Sequence, residues 1–212
     1  MDGVLINSEP LHHEVFNVLF KKLNIEVSDE LFATFTGNST QMIIEKIVRH
    51  FNLKENVTDL VNEKTQMFID AFGQSTKYGL ISGVRDLIID LHHHAMQLIV
   101  ASSSEMKIIE AIFERFDLNQ YFTHKVSGAE FPQSKPHPAI FLKAVELSGH
   151  STAQCVVIED STNGIRAAKA AHLYCIAFKA PDVNTQNQSE ADAIIQDFSE
   201  LDYKKIRDIK KG

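Results

Sequence analysis

From Ser82 onward the chain alternates between short apolar runs and segments whose apolar residues lie three or four positions apart. Short apolar runs predict buried strands, and the longer spacing predicts amphipathic helices. The runs that predict strands are QLIVAS (97–102), THKVSG (123–128), QCVVIED (154–160), LYCIAF (173–178) and ADAIIQ (191–196), the last as an edge strand. Helical segments separate them, which predicts a doubly wound α/β core with a parallel sheet.

Residues 9–81 follow a different pattern, in which helical spacing recurs and no strand pattern intervenes. The segments LHHEVFNVLFKKLNI, SDELFATFTG, TQMIIEKIVRHF and VTDLVNEKTQMFIDAF predict a group of helices. We therefore expect a small helical domain over residues 9–81, inserted into an α/β core made of residues 1–8 and 82–212. Ahead of the insertion only MDGVLI is available as a strand, although a buried central strand is normally longer.

Composition and charge narrow the class of protein. The chain has 212 residues, 44% apolar and 23% charged, which is enough for a globular protein with a sizeable core. The net charge of -7, with scattered basic residues, disfavours nucleic acid as a partner. No window approaches the roughly 18 consecutive apolar residues of a membrane span. The amino terminus also lacks the basic segment followed by an apolar segment that is typical of a secretory leader, so we expect a cytoplasmic protein. We further expect a monomer without a membrane partner. Cys155 and Cys175 lie in apolar runs, which predicts buried, reduced thiols.

Residues that suit phosphoryl transfer open the chain and follow the first predicted strand. Such transfer needs a metal held by carboxylates, donors for the phosphoryl oxygens and a cation against the developing charge. In MDGVLINSEP, Asp2 stands at a turn where Gly3 lets the backbone approach a ligand. In VASSS, hydroxyls and free N–H groups at a helix start predict a phosphate cradle, although a plain serine N-cap would explain one serine.

Two further segments supply a cation and carboxylates. In SKPHP, the proline after Lys135 restricts the lysine backbone, although a loop lysine is usually solvated. VVIEDSTNGI runs from a strand into Glu159 and Asp160, two adjacent carboxylates for which a hard cation is the natural partner. An alternative is that Asp160 or Ser161 only caps a helix. Because open parallel sheets bind ligands at the carboxyl ends of their strands, we expect all four segments to converge.

Taken in order, MDGVLINSEP, VASSS, SKPHP and IEDSTNG resemble the four motifs of the haloacid dehalogenase superfamily, and the resemblance spans essentially the whole chain. The helical insertion resembles the small cap of the subfamily that includes β-phosphoglucomutase and many sugar-phosphate phosphatases. This resemblance implies a helical cap over an α/β core, a Mg2+ cofactor and a small phosphorylated metabolite as partner. It also implies hydrolysis through an aspartyl-phosphate, with a sugar phosphate as the expected substrate.

The resemblance assigns catalytic roles to three residues. Asp2 matches the second aspartate of the first motif, the general acid/base that also lends its backbone carbonyl to the metal. Ser102 would hold the phosphoryl group, with Ser103 offering its N–H. Lys135 would bind both the nucleophile and the phosphate.

Metal and substrate contacts follow from the same resemblance. The metal is expected at Asp2, Glu159 and Asp160. His12 matches a cap-hinge histidine of the subfamily, which implies that it contacts the substrate and couples closure to acid/base chemistry, although a histidine on a helix face is more often structural. Gly37 begins the cap loop GNST, which is expected to face the substrate.

The family nucleophile is the aspartate two positions before the acid/base, so it is expected one position before Met1. Either an internal methionine has been taken as the start, or the domain has lost its nucleophile. The first interpretation is favoured, because a natural start here would delete the central strand and leave its neighbours' edges unpaired.

Several related functions remain as alternatives. A dehalogenase is disfavoured because the Asp2-Gly3 pair is present, and no recognisable motif places Lys46, Lys54 or Lys64 for phosphonate hydrolysis. A β-phosphoglucomutase-like mutase is disfavoured because GNST lacks the arginine that grips a second phosphate. A non-catalytic phosphometabolite-binding module is the alternative from another class.

Overall fold

A computed structural model describes residues 1–35, 38–180 and 186–209 of the chain. Within these ranges helices dominate the first part, and strands and helices alternate in the second. The helices are α1 (Glu9–Lys22), α2 (Asp29–Ala33), α3 (Thr40–His50), α4 (Val57–Gln74), α5 (Val84–His93), α6 (Met106–Arg115), α7 (Ala139–Ser148), α8 (Thr162–Ala170) and α9 (Tyr203–Asp208). The strands are β1 (Leu98–Ser102), β2 (Phe122–Ser127), β3 (Val156–Glu159), β4 (Tyr174–Phe178) and β5 (Ala193–Ile195).

All pairings between these strands are parallel, which confirms the predicted α/β class. Strand β1 pairs with β2, and β3, β4 and β5 form a second sheet in that order. Alternate residues of β4 enter two different cores. Ile176 and Phe178 pack with α5 and α6, whereas Cys175 and Ala177 pack with α7 and α8. Helices therefore cover both faces of this sheet, as a doubly wound core requires.

The two sheets do not join within the described part of the chain. Each of β1 and β3 has one hydrogen-bonded neighbour there, β2 and β4 respectively. A cavity of about 360 Å³ lies between them, lined by residues of both strands and by apolar side chains of α5 and α7. The neighbouring edges of β1 and β3 therefore flank an apolar gap.

The opening segment MDGVLI forms a turn rather than the strand that its position suggested. The N–H groups of Val4 and Leu5 donate to the Met1 carbonyl, at 3.2 and 2.7 Å. Ile6 makes isolated bridges to Asp2 and Leu80. The Asp2-Gly3 turn reverses the chain before a strand can extend, so this segment leads into the helices without adding to the sheet.

Helices α1 and α3 both pack against α4 around a core of their own. Phe16, Leu19, Ile44, Ile47 and Leu60 are almost fully buried there. Ser39 and Asn56 cap α3 and α4 by accepting from backbone N–H groups, which explains where these helices begin. The C-terminal half of α4 instead packs into the core of the α/β part through Phe68 and Phe72. The regular elements of the predicted insertion are the helices α1 to α4 in its described residues, and its limits at residues 9 and 81 stay a prediction.

Two further expectations concern cysteines and membranes. Cys175 is buried in β4 as predicted, but Cys155 is partly exposed and precedes β3 instead of lying within it. Both are free thiols. In the part of the chain that the structure describes, none of the helices combines the length and the apolar character that a membrane crossing requires.

Candidate active site

The turn at the start of the chain brings two of the predicted residues together. Gly3 has a left-handed backbone with φ of 67°, and a Cβ built on it would lie 2.0 Å from Oδ2 of Asp160. Only glycine tolerates both this conformation and this approach. The backbone beside Asp2 therefore passes directly over the Asp160 carboxylate.

Four polar side chains surround the carboxylate of Asp2. Ser102 and Ser104 each donate a hydroxyl hydrogen bond to Oδ2 at 3.0 Å. Ser8 donates to Oδ1, and Nε2 of His12 lies 3.4 Å from the same oxygen. Burial alone would raise the pKa of Asp2, but the hydrogen bonds from His12 and Ser8 outweigh burial and hold the pKa well below its usual range. The resting Asp2 is therefore an ionised, well-oriented base.

His12 connects this carboxylate to the helical part of the molecule. Lys64 on α4 has no exposed surface, and its ammonium donates to Nδ1 of His12 at 2.8 Å. Because Nδ1 accepts this bond, Nε2 carries the ring proton and points it at Asp2. Burial, and then the Lys64 charge, lower the pKa of His12, so the ring is neutral at pH 7.

Lys135 and Glu159 form a buried ion pair in the same pocket as Asp2. The Lys135 ammonium lies 2.6 Å from Oε1 of Glu159, and the two side chains are 7% and 8% exposed. Oε2 of Glu159 accepts from the N–H groups of Asp160 and Ser161, at 2.7 and 2.9 Å. Burial alone would raise the pKa of Glu159, but Lys135 and these donors lower the pKa to about 2.

These contacts engage both oxygens of Glu159, and its expected role as a metal ligand stays a prediction. The carboxylate holds Lys135 in place and closes the turn before α8. Asp160 lies beside this carboxylate, since its backbone N–H donates to Glu159 and the charge of Glu159 raises the pKa of Asp160.

Asp160 is the carboxylate that suits a hard cation. Burial, and then the negative charge of Glu159, raise its pKa well above the usual range for a carboxylic acid. A buried carboxylate in this state is stabilised when a cation binds beside it. Among the described residues there is no group of three or more His, Cys, Asp or Glu side chains arranged to hold a metal. The expected metal ligands, Asp2, Glu159 and Asp160, stay a prediction.

The expected residues line one pocket of about 400 Å³ between the sheet and the helical insertion. Those that line it are Asp2, His12, Ser102, Ser103, Lys135, Glu159 and Asp160. Gly37 lies outside the described residues. Their roles stay predictions, but their convergence at the ends of β1 and β3 follows from the parallel arrangement.

Ser104 and Lys64 are contacts that the motifs alone did not single out. Ser104 stands two residues after Ser102 and reaches the same oxygen of Asp2. Lys64 interrupts the apolar stripe of α4, since Leu60 precedes it by four positions and Phe68 follows it by four. A lysine on the buried face of a helix was the available sequence signal.

Comparison with known proteins places these features in a family. A model of haloacid dehalogenase-like hydrolases matches residues 1–178. Hexitol phosphatase B of Escherichia coli (strain K12) is 27% identical over 226 residues, which cover 97% of this chain and 93% of that protein. Protein SUPPRESSOR OF QUENCHING 1, chloroplastic, of Arabidopsis thaliana is 30% identical over 181 residues, 84% of this chain and only 17% of that protein.

A solved structure resembles both parts of the molecule. The crystal structure of CbbY from Rhodobacter sphaeroides in complex with phosphate has a TM-score of 0.84 and 26% sequence identity. The alignment covers 95% of this chain and 93% of that one. Because the family model matches residues 1–178 of the 212-residue chain, the chain belongs to the haloacid dehalogenase-like hydrolases.

Proposed function

We propose that this protein is a magnesium-dependent phosphatase that hydrolyses a small phosphorylated metabolite, with a sugar phosphate as the substrate class. The observation that carries the proposal is the convergence of Asp2, Ser102, Lys135 and Asp160 on one pocket. An ionised carboxylate, hydroxyl donors, an ammonium and a cation-binding carboxylate are the groups that phosphoryl transfer needs. Similarity to a hexitol phosphatase supports the same reaction class.

Asp2 is proposed to act as general base and acid. Its carboxylate is ionised at rest, which suits removal of a proton from the attacking water in the hydrolytic step. A phosphoryl dianion bound at Ser102 would raise the Asp2 pKa, because two negative charges would then share a small site. Asp2 could then carry the proton that the leaving alcohol needs when its bond to phosphorus breaks.

Lys135 and Ser102 are proposed to hold the phosphoryl group. Glu159 fixes the Lys135 ammonium at the pocket wall. The Ser102 hydroxyl donates to Oδ2 of Asp2 and therefore lies beside that carboxylate. Mg2+, held by Asp160 and the backbone carbonyl of Asp2, would supply positive charge against the phosphoryl oxygens. The residues thus position the reacting group before any bond changes.

The nucleophile is proposed to be an aspartate one position before Met1. The amino group of Met1 is buried, and its charge environment is formed by Asp2, Lys135, Glu159 and Asp160. A side chain attached just ahead of it would therefore stand beside Lys135. The apolar gap between β1 and β3 offers space and backbone edges for the strand leading into it.

The helical insertion, residues 9–81, is proposed to close over this pocket. His12 and Lys64 come from α1 and α4, so movement of these helices would move the contact between His12 and Asp2. Closure would exclude bulk water while the phosphoryl group leaves the substrate.

Phosphate release from a panel of sugar phosphates and an aryl phosphate tests the proposal, with the 212-residue chain compared with a chain extended upstream. We expect magnesium-dependent release by the extended chain, and a loss of about a hundredfold or more in its Asp160→Asn variant. Undiminished activity in that variant would refute the metal assignment. Silence in both wild-type chains, with retained phosphate binding, would favour a binding module.

A further inference from the structure

Gln188 joins the ends of two neighbouring strands beside the proposed metal site. The ladder between β3 and β4 ends with the pair Glu159 and Ala177. Asp160 and Phe178 are the next residues along the chain from this pair. The amide nitrogen of Gln188 donates to both of their carbonyl oxygens, at 2.7 and 2.9 Å. A side chain from outside the two strands therefore extends their connection by one residue, at the point where the chain leaves β3.

This contact completes the fixing of the Asp160 backbone. The N–H group of Asp160 donates to Oε2 of Glu159 at 2.7 Å, and its carbonyl oxygen accepts from Gln188. The peptide units on both sides of Asp160 are therefore each held by a hydrogen bond. Together they keep the carboxylate in its place beside Gly3. Loss of the Gln188 contact would release one side of this turn without altering the carboxylate itself.

The amide oxygen of Gln188 indicates that its two donated bonds outweigh an unfavourable contact. The residue is only 8% exposed, and Oε1 is buried without a hydrogen-bond partner among the described residues. Turning the amide over would place this oxygen against two carbonyl oxygens, so the nitrogen has to face them. An apolar side chain would avoid burying an unpaired acceptor, but it would leave both carbonyls without their donor.

A neutral donor also suits this position electrostatically. Gln188 lines the same pocket as Asp2 and Asp160. A lysine could donate to the same carbonyl oxygens, but its positive charge would stand near the carboxylate that is proposed to attract Mg2+ and would repel the cation. The amide fixes the turn and leaves the negative charge of Asp160 to the cation.

We propose that Gln188 is a positioning residue for the Mg2+ site, which acts through the backbone of Asp160 to hold that carboxylate in place for the cation and is not itself a ligand. The proposal rests on the magnesium-dependent function proposed above. Removing a partner that orients a metal ligand typically weakens metal binding by about 10–100-fold. We expect an effect of this size on Mg2+ affinity when Gln188 loses its two donors.

Calorimetric titration of the upstream-extended protein with Mg2+ tests this role. Gln188→Met keeps a similar length but donates no hydrogen bond, and its dissociation constant for Mg2+ should rise about tenfold or more. Gln196→Met, the same substitution at an exposed position, is the matched control and should bind Mg2+ as wild type does. Urea unfolding of each variant shows that it is folded during the titration. Unchanged Mg2+ affinity in folded Gln188→Met would overturn the proposal and leave the phosphatase function intact, whereas a wild-type protein that binds no Mg2+ would overturn both.

Nuclear magnetic resonance of the wild-type protein tests the same role if Gln188→Met does not fold. The side-chain amide signals of Gln188 should shift as Mg2+ is added, because this amide is bonded to the carbonyl of a residue that holds the cation. Gln120 is the internal reference, since its amide donates to Asp117 on an exposed loop and should not shift. Gln188 signals that stay unchanged while Mg2+ binds would contradict the proposal.

Discussion

Substitution of Gly164 by alanine separates helix propensity from the packing of the site, because the two predict opposite signs. Alanine inside a helix is normally more stable than glycine by about 0.5–1 kcal/mol. At Gly164 in α8, however, the added Cβ would lie 1.9 Å from Oε1 of Glu159 and 2.5 Å from Oε2. The Glu159 carboxylate would have to swing away, and its ion pair with Lys135 would break.

The magnitude follows from the burial of this pair. Both side chains are more than nine-tenths buried, so neither charge can be solvated where it stands. Breaking a buried ion pair costs about 3–5 kcal/mol, and the helix gain returns up to about 1 kcal/mol. We therefore expect Gly164→Ala to lower the free energy of unfolding by about 2–4 kcal/mol. With a urea m-value of about 2 kcal/mol/M, the midpoint falls by about 1–2 M.

Urea unfolding of matched variants provides the assay. Gly73→Ala in α4 is the control, because a Cβ at Gly73 meets nothing within 4 Å, and it should be neutral or stabilising by up to about 1 kcal/mol. In a Glu159→Ala background the clash is gone, so Gly164→Ala should lose its cost and the two effects should not add. A Gly164→Ala protein as stable as wild type, or additive effects, would refute the reasoning.

Three further predictions use the titrating groups. Lys64→Met should raise the pKa of His12, because the Lys64 charge lowers it, and an unchanged or lower value in an NMR titration would contradict this. The lowered pKa of Glu159 contributes stability that is complete above pH 4.5 and is lost as pH falls toward about 2. Glu159→Gln should therefore flatten the unfolding free energy between these pH values, and the wild-type slope in that variant would refute the linkage. Burial raises the pKa of Cys175 to about 12, so a thiol reagent at pH 8 should modify only Cys155 in the native protein; equal rates would contradict it.

The sequence predicted the α/β part well because local pattern and long-range packing agree there. β1 and β4 are runs of apolar residues, and each is followed or preceded by a helix with a clear apolar face. β1 pairs in parallel with β2, and β3 with β4, because a helix, α6 or α8, connects the two strands of each pair. The convergence of Ser102 and Asp160 was therefore predictable, since Ser102 ends β1 and Asp160 directly follows β3.

Other features depend on contacts that no local pattern records. MDGVLI is apolar enough for a strand, but the turn at Gly3 and its approach to Asp160 are tertiary. The orientation of Glu159 depends on Lys135, 24 residues away in the sequence. Lys64 and His12 are 52 residues apart and lie on different helices, so no local pattern predicts their contact. The available signal was a lysine at a position where the spacing of α4 otherwise places apolar residues.

The measurement that tests the central claim most directly is phosphate release by the upstream-extended protein with magnesium, after chelation, and in its Asp2→Asn variant. The account predicts release that stops on chelation and returns with added Mg2+. It also predicts a loss of about a hundredfold or more in Asp2→Asn, because that side chain can neither accept nor deliver the proton. Release that persists undiminished after chelation, or in Asp2→Asn, would contradict the assignment of this pocket as the phosphatase site.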